Sequence, residues 1–338
     1  MIRIGILGWG NLGRGVAAAV GQAKDMTLAA IFTRRSPDGV EGSRGIAGAT
    51  PVVSAADMAA WADKIDVLVL CGGSATDLPV QGPQAAVHFC TVDSFDTHAH
   101  IPEHYAAMDE ALTAAGHVGV ISVGWDPGLF SVQRATMQAV LPAGKTYTFW
   151  GRGVSQGHSD AIRRVPGVRR GVQYTVPIQA AMDAVRAGEN PAFTARDMHE
   201  RVCYVVPEAG ADTARIEHDI VTMPNYFADY NTTVHFISEQ EFEAKHTAMP
   251  HGGFVLRSGT TGLREAGDRV AGDGNKHLTE FSLTLQSNPA FTGSVLTAYA
   301  RAVARLKDKG ETGCRTALDI PAALLAEQDG ETLRRELL

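Results

Sequence analysis

A glycine-rich turn lies between the first apolar segment of the chain and the first helical one. Arg3–Leu7 has the pattern of a β-strand, and Leu12–Gln22 has the pattern of a helix. The connecting residues are Gly8-Trp9-Gly10-Asn11-Leu12-Gly13, with the spacing G-x-G-x-x-G. There, glycines allow a tight turn, a close approach of the backbone to a pyrophosphate and close packing of helix on strand. The feature predicts a nucleotide-binding turn at the edge of a parallel sheet, with a ligand-free tight turn as the alternative.

Strand and helix patterns continue to alternate through the first half of the chain. The predicted strands are Leu28–Thr33, Val67–Cys71, Phe89–Val92 and Val118–Ser122, and the predicted helices are Ala55–Ala62 and Pro102–Ala115. Ser54 and Asp57 predict a capping box before the first of these helices. Such alternation favours a parallel sheet covered by helices. The predicted fold class is α/β, a Rossmann-type doubly wound parallel sheet with a second α+β domain.

Length and charge limit the organisation of the chain and its partners. With 338 residues it exceeds the usual size of one hydrophobic core, which predicts two domains. A formal net charge of -7 favours neither nucleic acid nor an anionic membrane as a partner. The start, Met1–Leu7, is too short for a signal peptide, and no apolar run approaches the ~20 residues of a membrane span, so we expect a cytoplasmic protein. The four cysteines are widely spaced, so no metal site is expected.

The pattern changes after residue 125. An amphipathic strand at Lys276–Gln286 and longer connections predict an α+β domain with a mixed or antiparallel sheet. Helical spacing returns after Asn288, with Val295, Tyr299 and Val303 on one stripe. We therefore predict a dinucleotide-binding domain over residues 1–125, on which residues 290–338 pack back, and a substrate-binding and dimerisation domain over residues 126–289.

The end of the second predicted strand indicates which dinucleotide binds. An acidic residue there would bind the ribose 2′-hydroxyl of NAD, but this chain has Thr33-Arg34-Arg35-Ser36. Two guanidinium groups suit a 2′-phosphate, because they offer bidentate, charge-assisted hydrogen bonds. NADP is therefore favoured over NAD; a solvated basic turn is the alternative.

Acidic side chains follow later strands at the edge where open α/β folds bind ligands. Asp96 and Asp126 are two of them, and each could instead be a helix cap. Two carboxylates beside a hydride acceptor suit an amine substrate, because an ammonium must lose a proton before its carbon gives up a hydride. In the second half, Arg201, Thr175 and His251 could hold a substrate carboxylate, although each alone could be structural.

Over nearly its whole length the sequence resembles the meso-diaminopimelate D-dehydrogenase family. The stretches that carry the resemblance are Gly8-Trp9-Gly10-Asn11-Leu12-Gly13, Phe32-Thr33-Arg34-Arg35, Cys71-Gly72-Gly73-Ser74-Ala75-Thr76-Asp77, Gly124-Trp125-Asp126-Pro127-Gly128, Phe149-Trp150-Gly151, Ser155-Gln156-Gly157-His158-Ser159-Asp160 and Met249-Pro250-His251-Gly252-Gly253. The resemblance implies a homodimer that carries out NADP-dependent oxidative deamination at the D-centre of meso-2,6-diaminopimelate. The product is L-2-amino-6-oxopimelate, which cyclises to tetrahydrodipicolinate, an intermediate of lysine and cell-wall precursor synthesis.

The resemblance also assigns contacts. It places the cofactor on Gly8, Trp9, Gly10, Asn11, Leu12, Gly13, Thr33, Arg34, Arg35, Cys71, Gly72, Gly73, Ser74, Ser94, Phe95, Asp96, Val123, Gly124, Trp125, Asp126 and Pro127. It places the substrate on Asp96, Asp126, Trp150, Gln156, Gly157, Thr175, Arg201, His251 and Asn275. An insertion-like stretch at 263–274 weakens the match at Asn275, where the neighbouring Lys276 could take its place.

Roles within this set follow from the two amino-acid ends of the substrate. Arg201, Thr175 and His251 would anchor the distal L-end, and Asp96 and Asp126 would hold the reacting D-end with Gln156 and Gly157. Asp126 is the expected general base and His158 its rival. The alternatives are a broader D-amino acid dehydrogenase, an enzyme resembling dihydrodipicolinate reductase, which would need a lysine that the candidate loops lack, and a non-catalytic NADP-binding module.

Overall fold

The structure is a computed structural model that describes residues 1–36, 40, 50–262 and 274–338. The chain divides into two compact units, one formed by residues 1–132 and 289–338 and the other by residues 133–288. The predicted domain boundaries at 125/126 and 289/290 lie near these divisions. The functions assigned to the two domains remain predictions.

A parallel sheet is the centre of the first unit. Its strands are β1 (Ile2–Leu7), β2 (Met26–Thr33), β3 (Val52–Ser54), β4 (Val67–Leu70), β5 (Cys90–Asp93), β6 (Val118–Ile121) and β14 (Gly313–Thr316). Their order is β14-β6-β5-β4-β1-β2-β3, and every neighbouring pair is parallel. The carboxyl ends of all these strands therefore lie along one edge, and β1 and β4 are adjacent in its middle.

Helices lie between these strands in the sequence or follow them. They are α1 (Asn11–Gln22), α2 (Leu78–Ala86), α3 (Ile101–Ala115), α4 (Leu129–Val140), α10 (Asn288–Asp308), α11 (Ala322–Leu325), α12 (Gly330–Leu337) and a 3-10 helix at Ala55–Lys64. The sequence analysis missed β3, α2 and β14. Its capping box is also wrong, because Ser54 Oγ accepts a hydrogen bond from the Ala56 N–H at 3.3 Å and a 3-10 helix follows.

The long helix α10 completes the core of the first unit. Its predicted apolar stripe is buried, with Leu296, Tyr299 and Val303 at most 1% exposed. It meets α1 at Gly293 and Gly15, where a Cβ on either glycine would lie 2.4 Å from backbone atoms of the other segment. Only glycine at these two positions allows such a close approach, which places the start of α1 firmly against the core.

Two smaller sheets form the second unit. One has the order β11-β10-β9-β8, and its strands are β8 (Gly153–Val154), β9 (Val168–Pro177), β10 (His199–Pro207) and β11 (Asn231–Phe236). The other has the order β13-β12-β7, and its strands are β7 (Gly144–Trp150), β12 (His251–Thr261) and β13 (Asn275–Leu285). The first is mixed and the second antiparallel, as the sequence predicted for an α+β segment.

Short helices cover these sheets. They are α5 (Gln156–Arg163), α6 (Gln179–Arg186), α7 (Ala195–Met198), α8 (Thr213–Val221) and α9 (Glu239–Lys245). Among the described residues of the whole chain, no helix has both the length and the apolar character needed to cross a membrane.

Candidate active site

A cavity of about 520 Å³ opens at the carboxyl ends of β1, β2 and β4. Its wall consists of Leu7, Gly8, Trp9, Gly10, Asn11, Arg14, Phe32, Thr33, Arg34, Arg35, Cys71, Gly72, Gly73, Asp77 and Gln81. Gly8 has a φ of 105°, and a Cβ on Gly13 would lie 2.1 Å from the Gly8 carbonyl oxygen. Side chains are therefore excluded at Gly8 and Gly13, and the backbone of the turn is open to a phosphate group at the N-terminus of α1.

The two arginines after β2 are both fixed at this cavity. Arg35 Nη2 donates to the Trp9 carbonyl oxygen at 2.6 Å, within the glycine-rich turn. Arg34 forms a bidentate ion pair with Asp77, at 2.9 and 3.0 Å. Asp77 also accepts from the Gly73 N–H at 2.9 Å. Since the Arg34 side chain is 67% exposed, its ion pair adds little stability. Its effect is to hold the guanidinium beside the cavity, a link that the sequence analysis did not predict.

Other residues assigned to the cofactor lie outside the wall of this cavity. They are Leu12, Gly13, Ser74, Ser94, Phe95, Asp96, Val123, Gly124, Trp125, Asp126 and Pro127. Most follow β5 and β6 along the same edge of the sheet. Ser74 links the loops after β4 and β5, because its Oγ accepts from the Asp96 N–H at 2.8 Å. The loop that carries Asp96 is thus tied to the loop that begins at Cys71.

Arg201 is a buried cation in the second unit. It is 7% exposed and lies on β10 directly opposite Thr175 of β9, whose hydroxyl accepts a hydrogen bond from it. Its guanidinium also packs over the Tyr230 ring, 3.9 Å from the ring centroid. Its Nε has no hydrogen-bond partner and no carboxylate pairs with it within the described part of the chain. Burial lowers the pKa of Arg201 from its usual value.

An arginine with spare buried donors is costly unless an anion completes it. Arg257, a second buried arginine of the same unit, shows the usual arrangement. Its donors bond the Leu141 and Pro142 carbonyl oxygens and the Thr146 hydroxyl, at 2.7 to 2.9 Å. Arg201 therefore differs from Arg257 in having a buried Nε without a partner among the described residues.

The pairing and packing of the strands bring further predicted substrate residues near Arg201. The bridge between β8 and β9 pairs Gly153 with Thr175, and a Cβ on Gly153 would lie 2.5 Å from the Cα of His251. Gln156 begins the next helix and donates to the Met249 sulfur at 3.3 Å. The structure thus brings Thr175, Arg201, Gln156 and His251 together, and Gly157 follows Gln156 on α5.

Trp150 is positioned by a histidine that the sequence analysis did not identify. The Trp150 N–H donates to His199 Nε2 at 2.9 Å, and the two rings stack with centroids 5.3 Å apart. His199 is 3% exposed, whereas Trp150 is 38% exposed. The histidine therefore holds the backbone and the indole of Trp150 at the end of β7. No sequence motif marks His199, since its contact depends on the packing of β7 beside β10.

Asn275 does not join this group. The register of the β12–β13 hairpin pairs His251 with Leu285 and Asn275 with Thr261, at opposite ends of the hairpin. Ten residues of β-strand separate them, about 33 Å. The prediction is corrected on this point, because the strand register places Asn275 at the far end of the hairpin from His251. The asparagine that lies near His251 is Asn288, whose N–H donates to the Met249 carbonyl oxygen at 3.0 Å.

Comparison with known proteins decides the family. Residues 124–287 match the model of the diaminopimelic acid dehydrogenase C-terminal domain. The meso-diaminopimelate D-dehydrogenase of Lysinibacillus sphaericus is 57% identical over 337 residues, which cover 100% of this chain and 99% of that protein. The chain belongs to the meso-diaminopimelate D-dehydrogenase family. It is therefore an oxidoreductase that acts on a CH–NH2 group.

Solved structures agree with this assignment and confirm the predicted fold class. A mutant of the Clostridium tetani meso-diaminopimelate dehydrogenase, determined with DAP, is 52% identical and matches with a TM-score of 0.91 over 100% of both chains. An engineered D-amino acid dehydrogenase bound to NADP+ is 43% identical and matches with a TM-score of 0.84 over 100% of this chain and 99% of that one. Both a diamino acid and NADP+ therefore bind to close structural relatives of this family member.

His158, the rival base, has an environment of its own. Its Nδ1 lies 2.8 Å from Ser155 Oγ, and its ring meets Tyr226 and Phe227 edge to face. Burial, together with the Arg201 cation, lowers the pKa of His158 to about 4. The same two causes lower the pKa of His199 to about 4. Both imidazoles are therefore neutral at pH 7.

These two histidines predict a stability that falls in mild acid. The unfolded chain protonates each ring near pH 6.5 and the folded chain only near pH 4, so acid favours the unfolded state between these values. We expect the free energy of unfolding to drop by about 1–2 kcal/mol per histidine between pH 7 and pH 5. Urea unfolding of the parent and of His199→Gln, whose amide oxygen can still accept from Trp150, measures this. If the free energy of unfolding of His199→Gln drops between pH 7 and pH 5 by as much as that of the parent, the prediction is wrong.

Proposed function

We propose that this chain catalyses the reversible, NADP-dependent oxidative deamination of meso-2,6-diaminopimelate at its D-centre. The products are L-2-amino-6-oxopimelate, which cyclises to tetrahydrodipicolinate, and ammonia. This reaction would place the enzyme in lysine biosynthesis, in keeping with the name that its relatives carry. The cytoplasmic location expected from the sequence stays a prediction.

The observation that carries the proposal is Arg201. It is a buried cation whose Nε lacks a partner, and Thr175 lies opposite it on β9. His251, at the start of β12, lies against Gly153, which pairs with Thr175. A carboxylate would complete its hydrogen bonds and neutralise its charge, whereas a neutral ligand would leave the charge buried. We assign the distal carboxylate of the substrate to this group. Asn288 replaces Asn275 as the asparagine proposed to contact the same end.

The residues of the first cavity fit a phosphorylated dinucleotide. The open backbone of Gly8 to Gly13 suits the pyrophosphate, and Arg34 and Arg35 suit a 2′-phosphate because both guanidinium groups are already held at the cavity. When bound, NADP+ accepts the hydride from the D-carbon of the substrate.

Proton transfer is assigned to the carboxylate of Asp126. The amine of the substrate arrives as an ammonium, and Asp126 would take one of its protons so that the nitrogen lone pair can form the imine as the hydride leaves. Asp96 would bind the same amine as a counter-charge. Water then adds to the imine carbon and ammonia leaves. His158 is a poor alternative, because its lowered pKa makes it a weak base.

The initial rate of NADP+ reduction tests this function. We expect turnover with meso-diaminopimelate far above that with the L,L-isomer, and with NADP+ far above that with NAD+. The D,D-isomer and simple D-amino acids test whether the enzyme requires the distal L-amino-acid end of the substrate. If they react as well as the meso-isomer, the chain is the broader D-amino acid dehydrogenase. Binding of NADPH without turnover of any of these would leave only an NADP-binding module.

The same assay tests the cofactor residues with the double variant Arg34→Asp/Arg35→Ser. Loss of two charge-assisted hydrogen bonds lowers the ratio of NADP+ to NAD+ efficiency by about 100-fold, at roughly 1.5 kcal/mol per bond. An unchanged ratio would mean that the two arginines do not bind the 2′-phosphate. Arg35→Ser alone is the companion variant, since it leaves the ion pair of Arg34 with Asp77 intact.

A homodimer is also part of the proposal. Strand β13 forms one edge of its sheet and has β12 as its only partner strand within the described ranges. Leu278 on one face of this strand is 40% exposed, and Phe281 and Leu283 on the other face are half-buried. Apolar side chains on an open sheet of this kind suit contact with a second copy of the chain.

A further inference from the structure

Asp93 is a buried carboxylate at the end of β5 that neither sequence motif nor cavity singles out. It is 1% exposed. Its Oδ1 accepts hydrogen bonds from the Phe95 N–H at 3.0 Å and from the Ser122 N–H at 2.9 Å. Its Oδ2 lies 2.8 Å from His104 Nε2. Its main-chain carbonyl oxygen accepts from the Val123 N–H at 3.0 Å. One residue thus serves four hydrogen-bond donors.

Three of these donors, the N–H groups of Phe95, Ser122 and Val123, belong to the two loops that carry the proposed carboxylates. Phe95 directly precedes Asp96, and Ser122 and Val123 begin the loop that leads to Asp126. Ser122 has a φ of 55°, a left-handed conformation that costs a non-glycine residue about 1–3 kcal/mol and persists only where the surroundings hold it. The hydrogen bond from its N–H to Asp93 supplies part of that hold. Asp93 therefore links the start of one loop to the start of the other.

His104 of α3 fixes Asp93 from behind. It is 5% exposed, and its Nε2 donates to the carboxylate because the carboxylate can only accept. Its ring stacks on Phe95, with centroids 4.2 Å apart and planes inclined by 22°. The histidine therefore orients both the carboxylate and the residue next to Asp96.

A buried ionisable pair is a weak device for stability alone, because the desolvation of both groups offsets their attraction. Here it lies at the carboxyl edge of the sheet and joins the two loops that the chemistry needs. We propose that Asp93, oriented by His104, is a positioning residue for the reaction: it holds the Asp96 and Asp126 loops at the spacing that brings both carboxylates to the reacting amine. This inference rests on the proposed function of Asp96 and Asp126.

The first test compares Asp93→Ala with Asp93→Asn. Alanine removes every side-chain bond to the two loops, and misplacement by about 1 Å lowers kcat/KM for meso-diaminopimelate by about 100-fold. The loss is expected mainly in kcat; NADPH affinity, measured by fluorescence titration, should fall much less, because the glycine-rich turn, Arg34 and Arg35 are untouched. Asparagine can still accept from Phe95 and Ser122 through Oδ1, and its amide can donate to the other tautomer of His104. We therefore expect it to restore most of kcat.

A second pair of variants keeps the test decisive if Asp93→Ala does not fold. His104→Phe keeps the ring on Phe95 but removes the donor to Asp93, and we expect a clear fall in kcat. His117→Phe is its matched control, because His117 lies just before β6, at the opposite end of that strand, and bonds the Ala86 carbonyl oxygen at 2.8 Å. It is expected to lower the unfolding midpoint without a change in kcat.

The outcomes separate this inference from the function on which it rests. If the parent enzyme does not oxidise meso-diaminopimelate, the proposed function fails first. If the parent does so and His104→Phe loses stability but keeps the parent kcat, Asp93 and His104 are structural and the inference is overturned. Equal losses of kcat in His104→Phe and His117→Phe would overturn it as well. A fall in kcat confined to the Asp93 and His104 variants, with recovery in Asp93→Asn, supports it.

Discussion

Replacement of Arg201 by methionine lowers kcat/KM for meso-diaminopimelate by about 100- to 1,000-fold, the expected result when one partner of a buried, hydrogen-bonded charge pair is lost. NADP+ affinity should stay the same, because Arg201 belongs to the second unit and the residues of the nucleotide cavity belong to the first. The effect follows from the buried charge and the unpaired Nε of Arg201, which a substrate carboxylate would satisfy. Initial rates over a range of substrate concentrations measure it.

Two further variants show whether the effect belongs to the carboxylate. Arg201→Lys keeps the charge but loses the planar fork, so we expect an intermediate loss. Arg257→Met removes an equally buried arginine whose donors are already satisfied within the protein. It should reduce stability and leave the substrate KM unchanged. Arg201→Met with the parent KM and kcat would mean that the distal carboxylate binds elsewhere.

Asp126→Asn should lower kcat by about 10²- to 10⁴-fold, the usual contribution of a general base. Asparagine has nearly the same shape and can accept a hydrogen bond, but it cannot take a proton from the ammonium. Asp96→Asn is the matched variant, because it removes a charge from the same proposed amine site without removing the base. We expect it to raise the KM more than it lowers kcat. If Asp126→Asn keeps near-normal kcat and only its KM rises, Asp126 is not the base.

The nucleotide half of the candidate site could be predicted from the sequence because it depends on local order along the chain. A strand, a glycine-rich turn and a helix follow one another directly, and parallel strands bring their ends to one edge whatever the details of packing. Gly8, Arg34 and Cys71 therefore come to one cavity although they lie in three separate loops. Asp77 could not be assigned to Arg34 in this way, since that ion pair depends on how the loop after β4 closes.

The second unit shows the opposite case. The position of Asn275 depends on the register of a long hairpin, which places it at the far end of the strand pair from His251. Tyr230 and His199 are equally hard to assign, because their contacts with Arg201 and Trp150 depend on which strands lie side by side. Sequence patterns predict the strands themselves, but they do not predict which side chains of other strands contact a buried residue such as Arg201.

The return of the last fifty residues to the first unit affects the order in which the protein can mature. Helix α10 and strand β14 supply buried side chains and an edge strand that the N-terminal residues need to complete their core. These residues leave the ribosome after the whole of the second unit. During translation the second unit is thus complete before the first, and the core beside the nucleotide cavity gains its final support only after the second unit has been made.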